Sequence, residues 1–261
     1  IETEYRFSIF YSPKFIVFWF ISSLVSPVIF FKFSIDSILL AEFVDRKDLK
    51  GNILDICTGN GAVSLILAEY TKNNIIGFEI QKKIAYLAQL SVDENNLTKQ
   101  IKIINDDAKN LNKYYDSGYF NTIVCNPPYF EYNGNMVNLQ EEKTIARHEV
   151  YLTLENILDI PQGVKNQVDW PLSPQALEMI TYNRAQRLDE LIILGNKYNI
   201  GIKKIQLIKT KKDRAPSLVI VKAVKNSKKH VIINDVVNIE NIQTYQNIFK
   251  GGCNEVNRGT R

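Results

Sequence analysis

The residues best placed to do chemistry lie in four short stretches, each directly after an apolar run. Asn126-Pro127-Pro128-Tyr129-Phe130 follows NTIVC at 121–125. Two prolines restrict the backbone. The Asn126 side chain and the Pro127 carbonyl can then point the same way and offer two acceptors to one NH2 group. Tyr129 adds a flat face on which a planar group can stack. An amine conjugated to a ring is a poor nucleophile. Holding both of its hydrogens draws it toward a pyramidal geometry and frees the lone pair, with no general base needed before attack. A plain Pro-Pro turn is the competing reading.

The second stretch is Leu54-Asp55-Ile56-Cys57-Thr58-Gly59-Asn60-Gly61-Ala62. Gly59 and Gly61 let the backbone pass close to a ligand. A GxG turn also fits a nucleotide site or an ordinary strand-to-helix turn. Two details separate these readings. Ser64 stands where a GxGxxG fingerprint has its third glycine, and Asp55 sits inside the strand end. A carboxylate there repels a pyrophosphate and suits a cationic amino-acid group. The third feature is Glu79, 18 residues beyond Gly61, at the distance from which an acid holds ribose hydroxyls. It would equally favour the start of a helix. The fourth is Asp106-Asp107, where one acid can accept from an adenine amine or serve as a loop acid or N-cap.

These stretches need elements to hold them. Asn52–Ile56, Asn74–Phe78, Gln100–Ile104 and Asn121–Cys125 read as buried strands, and Ala62–Tyr70 and Gln81–Glu94 as helices. Ser37–Asp45 reads as an earlier helix, with Ser34 or Asp36 as its N-cap. The alternation implies βαβ units and a parallel sheet. Its crossovers are right-handed, so the carboxyl ends of the strands share one rim, where ligand chemistry belongs. Further along, Val150–Leu158 reads as a helix, Pro161–Pro174 as a loop, Ala176–Tyr182 as a fifth strand and Arg187–Lys197 as a helix. Lys204–Ile208 and Leu218–Val224 form a long hairpin around KTKKDRAPS.

Composition narrows the class. The chain has 261 residues, 45% hydrophobic and 23% charged, which excludes disordered and collagen-like chains. The expected organisation is an irregular apolar segment at 1–33, a single domain at 34–239 and a tail at 240–261. Three cysteines without CxxC spacing and only two histidines argue against a disulfide framework and against any metal centre. Buried thiols in a reducing cytoplasm are expected instead. The apolar run Phe15–Phe31 approaches the lower length limit of a spanning helix. Ser22, Ser23, Ser26 and Pro27 interrupt it, and its aromatic and β-branched content suits buried strands or a docking hairpin, which argues against membrane insertion.

Taken in order and spacing, DICTGNG, FEI, NDDA and NPPYF resemble the motifs of class I S-adenosylmethionine-dependent methyltransferases. NPPY marks the branch that acts on planar amino groups: adenine N6, guanine N2 and glutamine N5. Within it the chain is most similar to the bacterial tRNA1(Val) adenine-37 N6-methyltransferases. FKFSIDSILLAEF before the first strand, ARHE at 146–149 and YNRAQRLDELI at 182–192 add to that resemblance, which covers roughly 31–158 and 176–235. Residues 1–30 and 161–175 depart from the family pattern. The resemblance implies an α/β, Rossmann-like fold with seven mostly parallel strands, the last antiparallel, and helices on both faces. It implies S-adenosyl-L-methionine as cofactor. By motif position Asp36, Asp55, Gly59 and Gly61 surround its methionine end and sulfonium, Glu79 holds the ribose and Asp107 the adenine. Asn126, Pro127 and Tyr129 take the target base, with Asn126 also beside the cofactor and Phe130 beside the base.

The net charge of 32 − 28 = +4 is weak, but its distribution is not even. From Lys203 to His230 there are ten Lys and Arg and one acid, Asp213. That is the electrostatic footprint of a phosphate-backbone partner, which the resemblance implies is a tRNA; a solvated lysine-rich edge is the alternative. Lys211 and Lys212 on this hairpin, and Arg147, His148 and Arg184 nearer the pocket, are the candidate RNA contacts. Glutamine N5 methylation of release factors, guanine N2 methylation of ribosomal RNA, adenine methylation of DNA and a non-catalytic RNA-binding role are the competing functions. The first would call for a helical N-terminal domain, whereas only 51 residues precede Asn52 and the first 30 do not read as helical.

Overall fold

The computed structural model describes residues 35–116, 119–127, 153–159, 178–227 and 230–239. The apolar run at 15–31, the loop expected at 161–174, the tail beyond 239 and residues 150–152 lie outside them. Among the described residues no helix is long and apolar enough to cross a membrane.

Short apolar strands alternate with helices as the sequence periodicity requires. In chain order they are α1 (Ile35–Phe43), β1 (Asn52–Ile56), α2 (Ala62–Tyr70), β2 (Ile75–Phe78), α3 (Lys82–Glu94), β3 (Ile101–Ile104), β4 (Phe120–Cys125), α4 (Leu154–Asp159), β5 (Glu178–Arg184), α5 (Leu188–Lys197), β6 (Ile200–Lys209) and β7 (Leu218–Lys225), then the short β8 (Ile232–Ile233) and β9 (Val237–Asn238). The seven long strands lie in the order β3-β2-β1-β4-β5-β7-β6, with β8 and β9 both pairing with β6. Strands β1 to β5 are mutually parallel. β7 is antiparallel to β5 and to β6, between which it inserts. The expected sheet is therefore present, with two short parallel additions along β6.

Alternating side chains divide the core into two apolar layers. Leu54, Ile56, Ile76, Phe78, Ile123, Val219 and Val221 pack on one face with Leu111, α4 and Leu191 of α5. Ile53, Ile75, Ile101, Val124, Ile180 and Ile220 pack on the other with α1, α2 and Val92 of α3. Period-2 alternation with helices on both faces gives a three-layer sandwich.

Several boundaries differ from expectation by a residue or two, and three of them bear on the site or on strand pairing. The first helix begins at Ile35, so Asp36 lies in its first turn rather than at its N-cap, where it still favours the helix dipole. β5 continues to Arg184 because the pairing with β7 runs to Arg184 and Leu218. β6 begins at Ile200 because its pairing with β7 runs back to Lys225.

The lysines of the hairpin also divide. Lys222, in β7, pairs with Asp48, and the two side chains are only 11% and 4% exposed. Lys204, in β6, lies 3.5 Å from Asp45 and 4.8 Å from the Phe43 ring centre. Both cations grip the connector between α1 and β1, and Thr122 of β4 donates to the Asp48 carbonyl at 2.7 Å. Removing one partner of a buried pair leaves the other charge unpaired, which is costlier than removing both. Lys222→Met should destabilise the fold by about 3 kcal/mol. Asp48→Leu/Lys222→Met should recover most of that loss, as read from urea unfolding at neutral pH. Equal losses in the single and double variants would show that the pair is unimportant.

Candidate functional site

Strand registers bring the motifs together. Ile56 is level with Phe78 and with Cys125, Phe78 with Ile104, and Cys125 with Thr181. The residues that follow these strands therefore stand on one rim. β1 and β4 are adjacent while the chain runs outward from them in opposite directions, so the crevice between their carboxyl ends is the switch point at which open α/β sheets take ligands.

The glycine turn lies on one side of that crevice. Gly59 and Gly61 have φ of +59° and +83°, a region that strains other residues. A side chain at Gly59 would meet nothing nearer than the Cys57 carbonyl at 4.0 Å, so the turn presents open space to a ligand. Cys57 itself is left-handed at φ 58, a strained conformation for a residue with a Cβ.

Asp55 lies beneath the turn and has no exposed surface. Its Oδ2 accepts from the Thr58 and Ser64 hydroxyls, both at 2.7 Å, and the Ser64 N–H also donates to the carboxylate. Gly61 is the N-cap of α2 and has no side chain to offer; Asp55 supplies that acceptor from β1. Oδ1 has no partner. Burial pushes this carboxyl up to about 6, against the pull of the three hydrogen bonds. Glu79 is also buried. It bridges the turn and α3, accepting from Gly59 N at 3.0 Å and Gln81 N at 2.9 Å. Burial raises its carboxyl, partly offset by those bonds. Asn105 after β3 ties the Glu79 and Ile80 carbonyls at 2.8 and 3.1 Å.

Asp107 is the N-cap of the 3-10 helix Ala108–Lys113, accepting from Lys109 N, and it pairs with the Lys109 ammonium at 3.1 Å. Asp106 accepts from Asn110, Tyr114 and the Asp107 N–H. Asn110 and Tyr114 hold its carboxyl below the ordinary range.

On the other side of the crevice Asn126 follows β4 directly. Its Nδ2 donates to the Ser37 hydroxyl at 3.2 Å. That bond ties the amide to α1. Pro127 is buried. Tyr129, Phe130, Arg147 and His148 lie outside the described residues. Arg184 ends β5 on the same rim, half-buried, and Asp36 is half-buried in the first turn of α1. Because β6 runs parallel to β4 and β5, the turn bearing Lys209, Lys211, Lys212 and Arg214 also falls on this rim. It is three strand spacings from β4, or about 14 Å. Lys203, Lys204, Lys222 and Lys225 lie lower on the sheet or at its opposite end. The basic hairpin is thus not one cationic surface.

Cys125 is buried and Cys57 half-buried, both as free thiols, and burial pushes the Cys125 thiol well above its ordinary range. Sequence reasoning missed Ser37, Thr58 and Ser64. Only Ser64 left a signal: it is the one polar residue in the fully buried stretch Ala62–Ala68.

The model of the methyltransferase small domain matches residues 25–153. Just under half of the chain is therefore similar to a methyltransferase small domain. Among curated relatives, the chain is 29% identical over 127 residues to a tRNA1(Val) (adenine(37)-N6)-methyltransferase of Shewanella sp. strain MR-4, covering 48% of the chain and 52% of the relative. It is 30% identical over 135 residues to one of Bacteroides fragilis strain YCH46, covering 52% and 54%. The chain therefore spans about half the length of the curated relatives it matches. A crystal structure of a predicted O-methyltransferase from Agrobacterium tumefaciens superposes with a TM-score of 0.56 at 16% identity, over 78% of the chain and 86% of that protein. That likeness gives the class I methyltransferase fold. The cofactor of such domains is S-adenosyl-L-methionine, and the residues present fit it. Gly59 leaves a cradle open beside the Glu79 carboxylate, and the buried Asp55 carboxyl with its unpartnered oxygen lies under the same turn.

The raised Asp55 carboxyl has a consequence for stability. Between its ordinary value of 3.8 and about 6 the folded chain holds a proton that the unfolded chain releases. The stabilising contribution is complete below 3.8 and is lost as pH rises through about 6. It amounts to about 3 kcal/mol at most. Urea unfolding of Asp55→Asn should lack this loss between acid and neutral pH. Parallel pH profiles for variant and parent would contradict the assignment.

Proposed function

We propose that this chain is an S-adenosylmethionine-dependent N-methyltransferase acting on an exocyclic amine, adenine N6 in a tRNA, at position 37 of tRNA1(Val). The observation that carries this reading is Asn126, with its amide tied to Ser37 at 3.2 Å and Pro127 buried behind it, across the crevice from the glycine turn. The curated relatives bear that activity in their names.

When bound, S-adenosyl-L-methionine supplies a sulfonium-linked methyl group as electrophile. Asp55, Gly59, Gly61 and Asp36 attend its methionine end, Glu79 its ribose and Asp107 its adenine. The Asn126 amide, tied to Ser37, presents its oxygen to the target amine, where it and the Pro127 carbonyl accept the two amine hydrogens. Tyr129 and Phe130 stack against the base. Rate arises from orientation and from acceptors fixed before reaction. A base in an anticodon loop is already partly unstacked, so bringing it to Asn126 costs less than extruding one from a duplex. Arg147, His148, Arg184, Lys211 and Lys212 meet the phosphates.

The deciding experiment incubates the chain with labelled cofactor and total tRNA from a strain lacking the gene, then identifies the modified nucleoside by mass. N6-methyladenosine supports the reading; N2-methylguanosine, or no label in the tRNA, would overturn it. Asn126→Ala should lower transfer at least about 100-fold while the cofactor dissociation constant stays within about twofold. Retained transfer, or equal loss of cofactor binding, would remove Asn126 from the base pocket. Lys211→Glu/Arg214→Glu should weaken tRNA binding more than about tenfold and flatten its salt dependence by about two units of slope. Lys225→Ala, at the far end of the hairpin, should leave both unchanged.

A further inference from the structure

We propose that Ser64 is a positioning residue for the cofactor: its hydroxyl, with that of Thr58, holds Asp55 as an anion beneath the glycine turn, where the charge favours the cationic methionine end. The inference rests on the cofactor reading above and is independent of the substrate.

Ser64 has no exposed surface and sits among apolar neighbours throughout Ala62–Ala68. A serine there buries a hydroxyl, which is unfavourable without a partner. The partner is Asp55 Oδ2. Thr58 reaches the same oxygen, and the two hydroxyls lie 3.4 Å apart, so both converge on one acceptor. Room for Thr58 comes from β2: a side chain at Gly77 would come within 2.9 Å of the Thr58 hydroxyl and 3.0 Å of its Cβ. Three elements thus cooperate to bring two donors to a carboxyl that could have been an apolar residue. For stability alone, an apolar pair of similar size serves as well or better than a buried ionisable group. The titratable groups facing Asp55 are the Glu79 carboxylate after β2 and the Cys125 thiol, with the N–H end of α2 beside them. Glu79 opposes ionisation. The hydroxyls and the helix end support it. A buried anion acts on a nearby cation with little screening, so Asp55 need not touch the ligand.

The test measures S-adenosylmethionine binding to the full chain by calorimetry at pH 6.5 and 8.5. Ser64→Ala should raise the dissociation constant about threefold at pH 6.5 and hardly at all at pH 8.5, since losing one hydroxyl raises the Asp55 carboxyl by about one pH unit. Ser64→Thr should restore the parent profile, and Thr58→Val should behave like Ser64→Ala. Carbon-13 titration of the Asp55 carboxyl should show the same upward move without ligand, which keeps the proposal testable if one variant binds poorly. A loss equal at both pH values, or an unmoved Asp55 titration, would reduce Ser64 to a packing residue. No binding by the parent chain at either pH would instead overturn the cofactor reading.

Discussion

A carboxylate with no exposed surface joins the end of β1 to the first turn of α2. Asp55 accepts from Thr58 and Ser64 at 2.7 Å and takes the helix N–H that Gly61 leaves uncapped. With that acceptor the chain can reverse through Gly59 and Gly61 in left-handed geometry and still enter α2 with its N-terminal donors satisfied. Glu79 then fastens to Gly59, so the end of β2 is tied to the same turn. The turn's shape, its open outer side and the position of Glu79 all depend on a buried group that most cores exclude. An ordinary apolar residue at position 55 would leave those hydroxyls and N–H groups without an acceptor.

The crevice needs a second constraint, the level registers of β1, β2, β4 and β5. Parallel strands in phase deliver their following residues to one height. Asn126 is 67 residues from Gly59 in sequence, yet stands across a single strand boundary from the glycine turn. Ser37, 89 residues before Asn126, reaches it because α1 packs over the β1–β4–β5 face through Leu40, Ala41 and Phe43. The segment ahead of the first strand therefore serves the amide that follows the fourth.

Much of this was legible in the residues. α2 was readable to its ends because glycines open it and its apolar spacing stops at Tyr70. β1 to β4 were readable because strands buried on both faces are unbroken apolar runs. Other features depend on proximity that no local pattern encodes. Ser64 in an apolar helix reads as filler until Asp55 is seen beside it. Asp107, read as an adenine acceptor or an N-cap, is seen capping the 3-10 helix. Counting charge from Lys203 to His230 carried no direction: β6 has ten residues and spans about 30 Å, so its two ends serve different surfaces. Lys204 and Lys222 face acids on the connector before β1, which their sequence distance concealed.

That last arrangement bears on the order in which the chain can mature. Asp48 precedes Lys222 by 174 residues, and Asp45 meets Lys204 from a similar distance. In a nascent chain the residues of the glycine turn emerge well before the β6–β7 hairpin that brings the α1–β1 connector its cations. β7 must also enter between β5 and β6, and its partners in β5 lie 34 to 46 residues earlier in the chain. The ligand cradle can thus be shaped during synthesis, while the anchoring of α1, and with it the Ser37 grip on Asn126, is completed only once the last long strand is released.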